Sequence, residues 1–211
     1  MNARRPRDRQ NGSVSTPPLD ALDVGIEPAD SADDAALVAA ITELVNGVYV
    51  IAEAGLWVDG ARRTDAREIA ELIRWEELAV ARIGGRLVGV VRVHALDAGT
   101  AEFGMLAADP ARRGVGIGRA LVAFAEGWAV ERGFAGMQLE LLVPTSWQHP
   151  SKQFLHDWYS RIGYRVVKTG ALGELYPELE PLLATTCDLV VYRKALEPGS
   201  TGVSSATTDA H

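Results

Sequence analysis

The 211-residue chain has a single cysteine, Cys187. One thiol cannot close an intrachain disulfide, and nothing near it supplies metal-ligand spacing. A disulfide-stapled fold and a cysteine-built metal centre are thereby excluded, and no metal is expected; a reducing compartment, the cytoplasm, fits best. Long apolar runs are scarce as well. The longest uncharged, largely apolar stretch, residues 141–151, contains Pro144, Pro150 and several polar side chains, and falls well short of the ~18 apolar residues of a membrane span. No membrane association is expected. Positive charge is in deficit: 21 Lys and Arg against 28 Asp and Glu give a formal net charge of -7. An acidic body disfavours nucleic acid as a partner and favours cationic small molecules. Residues 1–20 carry Arg4, Arg5, Arg7 and Arg9 with no apolar segment after them, so they lack the anatomy of a secretory signal.

What is present is an ordinary globular composition, 47% hydrophobic and 23% charged, enough to bury one sizeable core. Residues 1–20 and 197–211 lack apolar periodicity and read as disordered tails on a domain over residues 21–196. Within that domain Leu22 to Glu27 alternates as a strand does. Ser31 followed by Asp34 resembles a capping box that opens a helix carrying Leu37, Ile41, Leu44, Val45 and Val48. A second helix over 64–75 repeats Ile69, Leu72 and Ile73. Residues 78–83 and 87–96 are β-rich and flank Gly84-Gly85, the strongest hairpin signal in the chain. A strand over 101–108, a helix over 115–132, a strand over 137–143, a helix over 151–162 and strands over 164–168 and 188–194 complete the order. Hairpins mixed with crossovers predict an α/β fold, a mixed and mostly antiparallel twisted sheet with helices on both faces.

The informative stretch is Asp109-Pro-Ala-Arg-Arg-Gly-Val-Gly-Ile-Gly-Arg-Ala120, between a strand and an apolar helix. Glycines let backbone approach a ligand closely, and the free N–H groups of a first helical turn attract an anion such as pyrophosphate. Arg112, Arg113 and Arg119 add charge-assisted donors. A P-loop would end in Gly-Lys-Ser/Thr, which is missing. A dinucleotide fingerprint beginning at Gly114 and Gly116 would need glycine where Arg119 stands, and its acidic partner ~20 residues on would be Glu140, in mid-strand. A mere helix-starting turn explains one glycine but not three alternating ones.

At these residues, with the Arg-x-x-Gly-x-Gly spacing of Arg113, Gly116 and Gly118, the sequence resembles the GNAT superfamily of acyl-CoA-dependent N-acyltransferases. The resemblance continues upstream through Ala101-Glu-Phe-Gly-Met-Leu-Ala-Ala-Asp-Pro110, similar to the family's bulged fourth strand. Downstream it runs through Leu155-His-Asp-Trp-Tyr-Ser-Arg-Ile-Gly-Tyr164, similar to its Leu-Tyr-x-x-x-Gly-Phe segment. Lys152 stands where the family often has asparagine, and Leu155 where alanine is frequent. The resemblance implies an acetyltransferase that uses acetyl-CoA as cosubstrate on a small-molecule or peptide amine, in direct attack within a ternary complex. It also implies that Arg113, Gly114, Val115, Gly116, Ile117, Gly118 and Arg119 hold the pyrophosphate, and that the backbone of Leu106, Ala107 and Ala108 pairs with pantetheine.

Strand alternation puts Glu102, Gly104 and Leu106 on one face, and the resemblance makes Glu102 the candidate base. Read without the resemblance, Glu102 is a strand carboxylate that could as well be structurally paired. Tyr159 matches the tyrosine that faces the departing sulfur, although Leu155, Tyr159 and Ile162 also form a stripe typical of a core aromatic. His149, Trp147 and His156 lie near the expected acceptor mouth without an assigned role. Glu53, Trp57, Trp75, residues 145–151 and residues 174–180 are expected to wall the acceptor site. The competing readings are a CoA-binding sensor without turnover and a nicotinamide oxidoreductase. A homodimer is compatible with the sequence.

Overall fold

The computed structural model describes residues 22–197; the two tails read from composition lie outside the described residues. Seven strands form one sheet in the order β1-β2-β3-β4-β5-β7-β6. They are β1 (Leu22–Ile26), β2 (Leu78–Ile83), β3 (Arg86–Ala95), β4 (Thr100–Ala108), β5 (Gly136–Pro144), β6 (Arg165–Ala171) and β7 (Cys187–Ala195). All neighbours are antiparallel except β4 and β5. Gly84 and Gly85, at φ 57° and 78°, supply the two left-handed positions that a tight β2–β3 hairpin requires.

Helices cover both faces. One layer holds α1 (Ala35–Ala52) and α2 (Ala66–Arg74), whose Val38, Ile41, Val45, Ile69, Leu72 and Ile73 pack on Leu78, Val80, Val90, Met105 and Ala107. By length and mean hydropathy, 1.8, α1 would match a membrane span; here its apolar stripe inserts against the sheet. Its start is later than the capping-box reading gave. Residues 29–33 form a 3-10 turn closed by Ser31 N donating to Pro28 O and Asp34 N to Ser31 O. The carboxylate of Asp34, not the Ser31 hydroxyl, takes the first free N–H groups of the helix, those of Ala36 and Leu37. The opposite layer holds α3 (Ile117–Glu131) and α4 (Pro150–Arg161). There Leu121, Ala125, Ala129 and Tyr159 pack on Ala79, Ala81, Val91, Val93, Phe103 and Leu139. A short α5 (Leu172–Leu175) follows β6, and sequence periodicity was blind to it because four residues carry no helical repeat.

One irregularity matters most. In β4, Val90 pairs with Ala107 and Arg92 with Gly104, so Val91 alone opposes Met105 and Leu106. Met105 sits at φ 49°, and the extra residue is a β-bulge. Its effect is a change of face: Ala101 and Phe103 lie in the α3/α4 layer, whereas Met105 and Ala107 lie in the α1/α2 layer. The expectation that Glu102, Gly104 and Leu106 share a face is therefore corrected. Leu106 packs on the α3/α4 core, opposite to Glu102, because alternation counts residues and a bulge inserts one.

α3 comes close to the sheet at Gly89. A Cβ there would lie 2.8 Å from Ile117 Cγ2, 2.9 Å from Leu121 Cδ1 and 3.1 Å from Ala107 O. Gly89→Ala is expected to lower unfolding free energy by about 1–3 kcal/mol through overpacking, read as an earlier denaturation midpoint. An unchanged midpoint would show that the first turn of α3 can lift away freely.

Candidate active site

β4 and β5 are paired parallel over just Thr100–Gly136, Ala101–Met137 and Glu102–Gln138. Beyond Glu102 the bulge bends β4 away, while β5 runs on beside β7 to Pro144. From Phe103 to Ala108, β4 thus has β3 on one side and no strand on the other. Leu106, Ala107 and Ala108 lie on this open edge, with backbone groups free to pair with an extended ligand.

The glycine-rich loop follows directly. Asp109 Oδ1 accepts Ala111 N–H at 2.9 Å and opens a 3-10 turn over Pro110–Arg112. Gly114 and Gly116 then take φ 82° and 87°, which carries the chain into Ile117 at the start of α3. The N-termini of α1, α2 and α4 are each capped by a side chain, from Asp34, Asp65 and His149, whereas α3 has no side-chain cap. Its first N–H groups and positive dipole end face outward beside exposed Arg113 and Arg119, neither of which forms an ion pair among the described residues; Arg112 leans back on Asp109 at 3.6 Å. Gly118 leaves room, the nearest atom to a Cβ there being on Trp158 at 3.8 Å. Such an arrangement can cradle an anion on backbone N–H groups.

Glu102 projects from the paired end of β4 toward the α1/α2 side. Its Oε2 accepts from Gln138 Nε2 at 2.9 Å, and Gln138 Oε1 accepts from Arg193 Nε at 2.8 Å. His94 Nε2 stands 3.9 Å from Glu102 Oε1. Burial raises the Glu102 pKa, the Gln138 bond opposes that, and neighbouring Glu140 adds to it. Burial, then the Arg92 charge, hold His94 below its ordinary value, so it is neutral at pH 7 and gives Glu102 no full positive partner. Sequence reasoning missed His94, Gln138 and Arg193, which reach Glu102 through cross-strand register alone.

Tyr159 lies on the other side of the sheet, 5% exposed, with its ring against Phe103, Trp158, Tyr164 and Tyr192. The ring belongs to the core, as the Leu155-Tyr159-Ile162 stripe suggests. Tyr164 OH donates to Glu126 Oε1 at 2.9 Å and Tyr192 OH is 2.7 Å from His156 Nδ1, whereas Tyr159 OH bonds to no side chain or backbone group among the described residues. Burial pushes its pKa far up, with Tyr49 on α1 next in effect. The phenol is therefore fixed as a hydrogen-bond donor.

The sequence matches the Acetyltransferase (GNAT) family over residues 39–164, more than half of the chain. The chain belongs to the GNAT family. No curated protein matches it. Among solved structures, an acetyltransferase from Salmonella typhimurium with its cofactor acetyl-CoA is 19% identical, covering 90% of this chain and 99% of that one at TM-score 0.57. A Mycobacterium tuberculosis protein in complex with CoA is 18% identical, covering 83% and 99% at TM-score 0.56. A streptothricin acetyltransferase structure from Bacillus anthracis with acetyl coenzyme A is 18% identical at TM-score 0.46, and the match spans 57% of this chain and 62% of that one. These likenesses are of fold.

Within this GNAT domain the other flagged residues take defined places. His149 is buried: its Nδ1 accepts Ser151 N–H at 3.2 Å, which leaves Nε2 to donate to Ala54 O at 3.2 Å. Trp147 packs on His149, and His156 is tied to Tyr192. Glu53 and Trp57 join through Trp57 Nε1 and Glu53 Oε2 at 2.6 Å, in a segment that pairs with residues 182–184. Tyr176, from the acidic span, donates to Glu140 Oε2 at 3.0 Å. Trp75 is exposed at the end of α2. Among the described residues no cluster of His, Cys, Asp or Glu could hold a metal ion.

The cradle makes a direct prediction. A ligand at 100 times its Kd adds about 2.7 kcal/mol of stability, and CoA at that excess is expected to raise Tm, with NAD and ATP doing so far less. Gly118→Asp, which puts a carboxylate at the uncapped helix end, is expected to abolish the CoA shift while circular dichroism stays native. A folded Gly118→Asp protein with full CoA affinity would move the anion site elsewhere.

Proposed function

We propose that the protein transfers an acetyl group from acetyl-CoA to a primary amine, by direct attack of the amine within a ternary complex. One observation carries the reading: the gap between β4 and β5 lies beside the uncapped N-terminus of α3, with a carboxylate of raised pKa on one side of the sheet and a free, protonated phenol on the other. In this reading the pyrophosphate lies on residues 113–119, and pantetheine adds to the open edge of β4 as an extra strand would. An edge N–H is left to support the thioester oxygen as negative charge grows on it. The acyl donor supplies an activated carbonyl; the residues of this chain supply orientation and proton handling.

An alkylammonium of pKa about 10.4 must lose its proton before it can attack, at a cost of about 4.6 kcal/mol at pH 7. Glu102 accepts that proton, directly or through a water. Its raised pKa makes it a stronger base than an ordinary carboxylate. At the other end, the free Tyr159 hydroxyl donates a hydrogen bond to the departing sulfur. A phenol held far above pKa 10 does not hand over its proton outright to a thiolate of pKa about 8.5, so the role is stabilisation by a hydrogen bond. An acyl-cysteine route has no support: Cys187 is buried, and burial pushes its thiol up to about 11. We infer a cytoplasmic location from this lone thiol, and a small-molecule or peptide amine as the acceptor.

The test needs an acceptor, found by screening amines, polyamines, amino acids, aminoglycosides and peptides for thiol release from acetyl-CoA. Activity is expected to fall as pH drops through the raised Glu102 pKa, since the base is then protonated. Glu102→Gln is expected to lose roughly 10²- to 10⁴-fold in rate and to recover in part at high pH, where free amine accumulates. The Tyr159→Phe defect is expected to persist at high pH, because the sulfur stays unsupported however much amine is neutral. Full neutral-pH activity in either variant would remove that residue from the mechanism.

A further inference from the structure

At the open end of the cleft, Lys152 Nζ lies 2.6 Å from Glu53 Oε1, with side chains 5% and 9% exposed. Glu53 Oε2 is taken by Trp57 Nε1 at 2.6 Å. Both charges oppose local physics. Lys152 is in the first turn of α4, whose dipole end is positive, and Glu53 is the C-cap of α1, whose dipole end is negative. Each charge also loses its hydration. A neutral pair of the same shape would fill this space at no such cost, so the pair is not explained by stability.

Its position in the fold does explain it. Lys152 and Tyr159 are seven residues apart on α4 and Glu53 and Tyr49 four apart on α1, spacings that keep each pair on one helix face. The pair thus joins the C-terminal end of α1 to the first turn of α4, with Tyr49 one turn back along α1 and Tyr159 two turns on along α4. The same junction holds the His149–Ala54 bond at 3.2 Å and the Trp147 ring 3.7 Å from where a Gly55 Cβ would be. Val58 N–H to Leu182 O and Ala184 N–H to Leu56 O, both 2.9 Å, extend it. α1 packs on β3 and β4, while α4 follows β5, and those two halves share three residue pairs between β4 and β5.

We propose that Glu53 and Lys152 are positioning residues of the transfer reaction, an ion-pair clasp that ties the start of α4 to the end of α1 and so fixes the place of the Tyr159 hydroxyl. The clasp rests on the acyl-transfer reading for its purpose and on the α1–α4 junction for its existence. It acts on the acyl-transfer centre without touching the anion cradle at α3. A loosened clasp therefore leaves CoA binding intact and misplaces the phenol.

The test is the double variant E53Q/K152M, which removes both charges, keeps similar volumes and leaves Gln Oε1 to accept from Trp57. Its Tm is expected to equal or exceed that of the unaltered protein. CoA affinity is expected within about twofold and kcat for thiol release down roughly 10- to 100-fold, the effect of a displacement near 1 Å. Hydrogen exchange at the Val58 and Ala184 amides is expected to speed up about tenfold, a readout that needs no acceptor. Unchanged kcat overturns the proposal, as does a Tm and CoA affinity that fall together with kcat, which marks a purely structural role. If the unaltered protein turns over no amine, the acyl-transfer reading fails. The exchange arm then decides the clasp: faster exchange with native CoA affinity supports it, and unchanged exchange refutes it.

Discussion

The site depends on two parallel strands that stop pairing. Had β4 continued straight beside β5, every backbone group from Phe103 to Ala108 would be spent within the sheet. The bulge at Met105 prevents that: a left-handed φ of 49° and one residue too many on β4 bend it away after three pairs with β5. Burying unpaired backbone is costly, so such a gap persists only where water or a ligand reaches it. The bulge also exchanges the faces of the strand. Glu102 stays on the α1/α2 side while Leu106 turns into the α3/α4 core, and Met105 and Ala107 anchor the bend under α1.

Around this gap burial shifts the ionisable groups. Burial raises Glu102 without paying it in full with a cation: Gln138 supplies a neutral donor and His94 is held uncharged. Burial also keeps the Tyr159 phenol protonated, while Tyr164 and Tyr192 beside it have their hydroxyls committed to Glu126 and His156. A carboxylate of raised pKa and a protonated phenol thus sit on opposite faces of one sheet. The α3 terminus contributes the third element by lacking a cap that three other helices have.

Much of this was legible in the sequence. Gly84-Gly85 gave the hairpin, and Gly114 and Gly116 gave the loop that leads into α3, because a glycine needed for a left-handed φ leaves a local mark. Periodicity located α2, α3 and α4 within two residues of their ends and gave the apolar stripe of α1, Asp34 taking over from Ser31 at its cap. Two kinds of feature stayed hidden. The bulge reverses a face through one residue, so counting from Glu102 misdirected Leu106. The Glu102–Gln138 bond and the Glu53–Lys152 pair join residues 36 and 99 positions apart, and no local pattern carries a contact of that range.

The central claim is that the unpaired edge of β4 receives the acyl donor as if it were a strand. Backbone hydrogen exchange with and without acetyl-CoA tests it most directly. The account predicts slowed exchange among residues 106–108 and in the first turn of α3, residues 117–119, with β6 unchanged because it lies at the far edge of the sheet. Protection in the first turn of α3 with none at residues 106–108 would contradict it, leaving an anion site without the strand-like docking on which the chemistry depends.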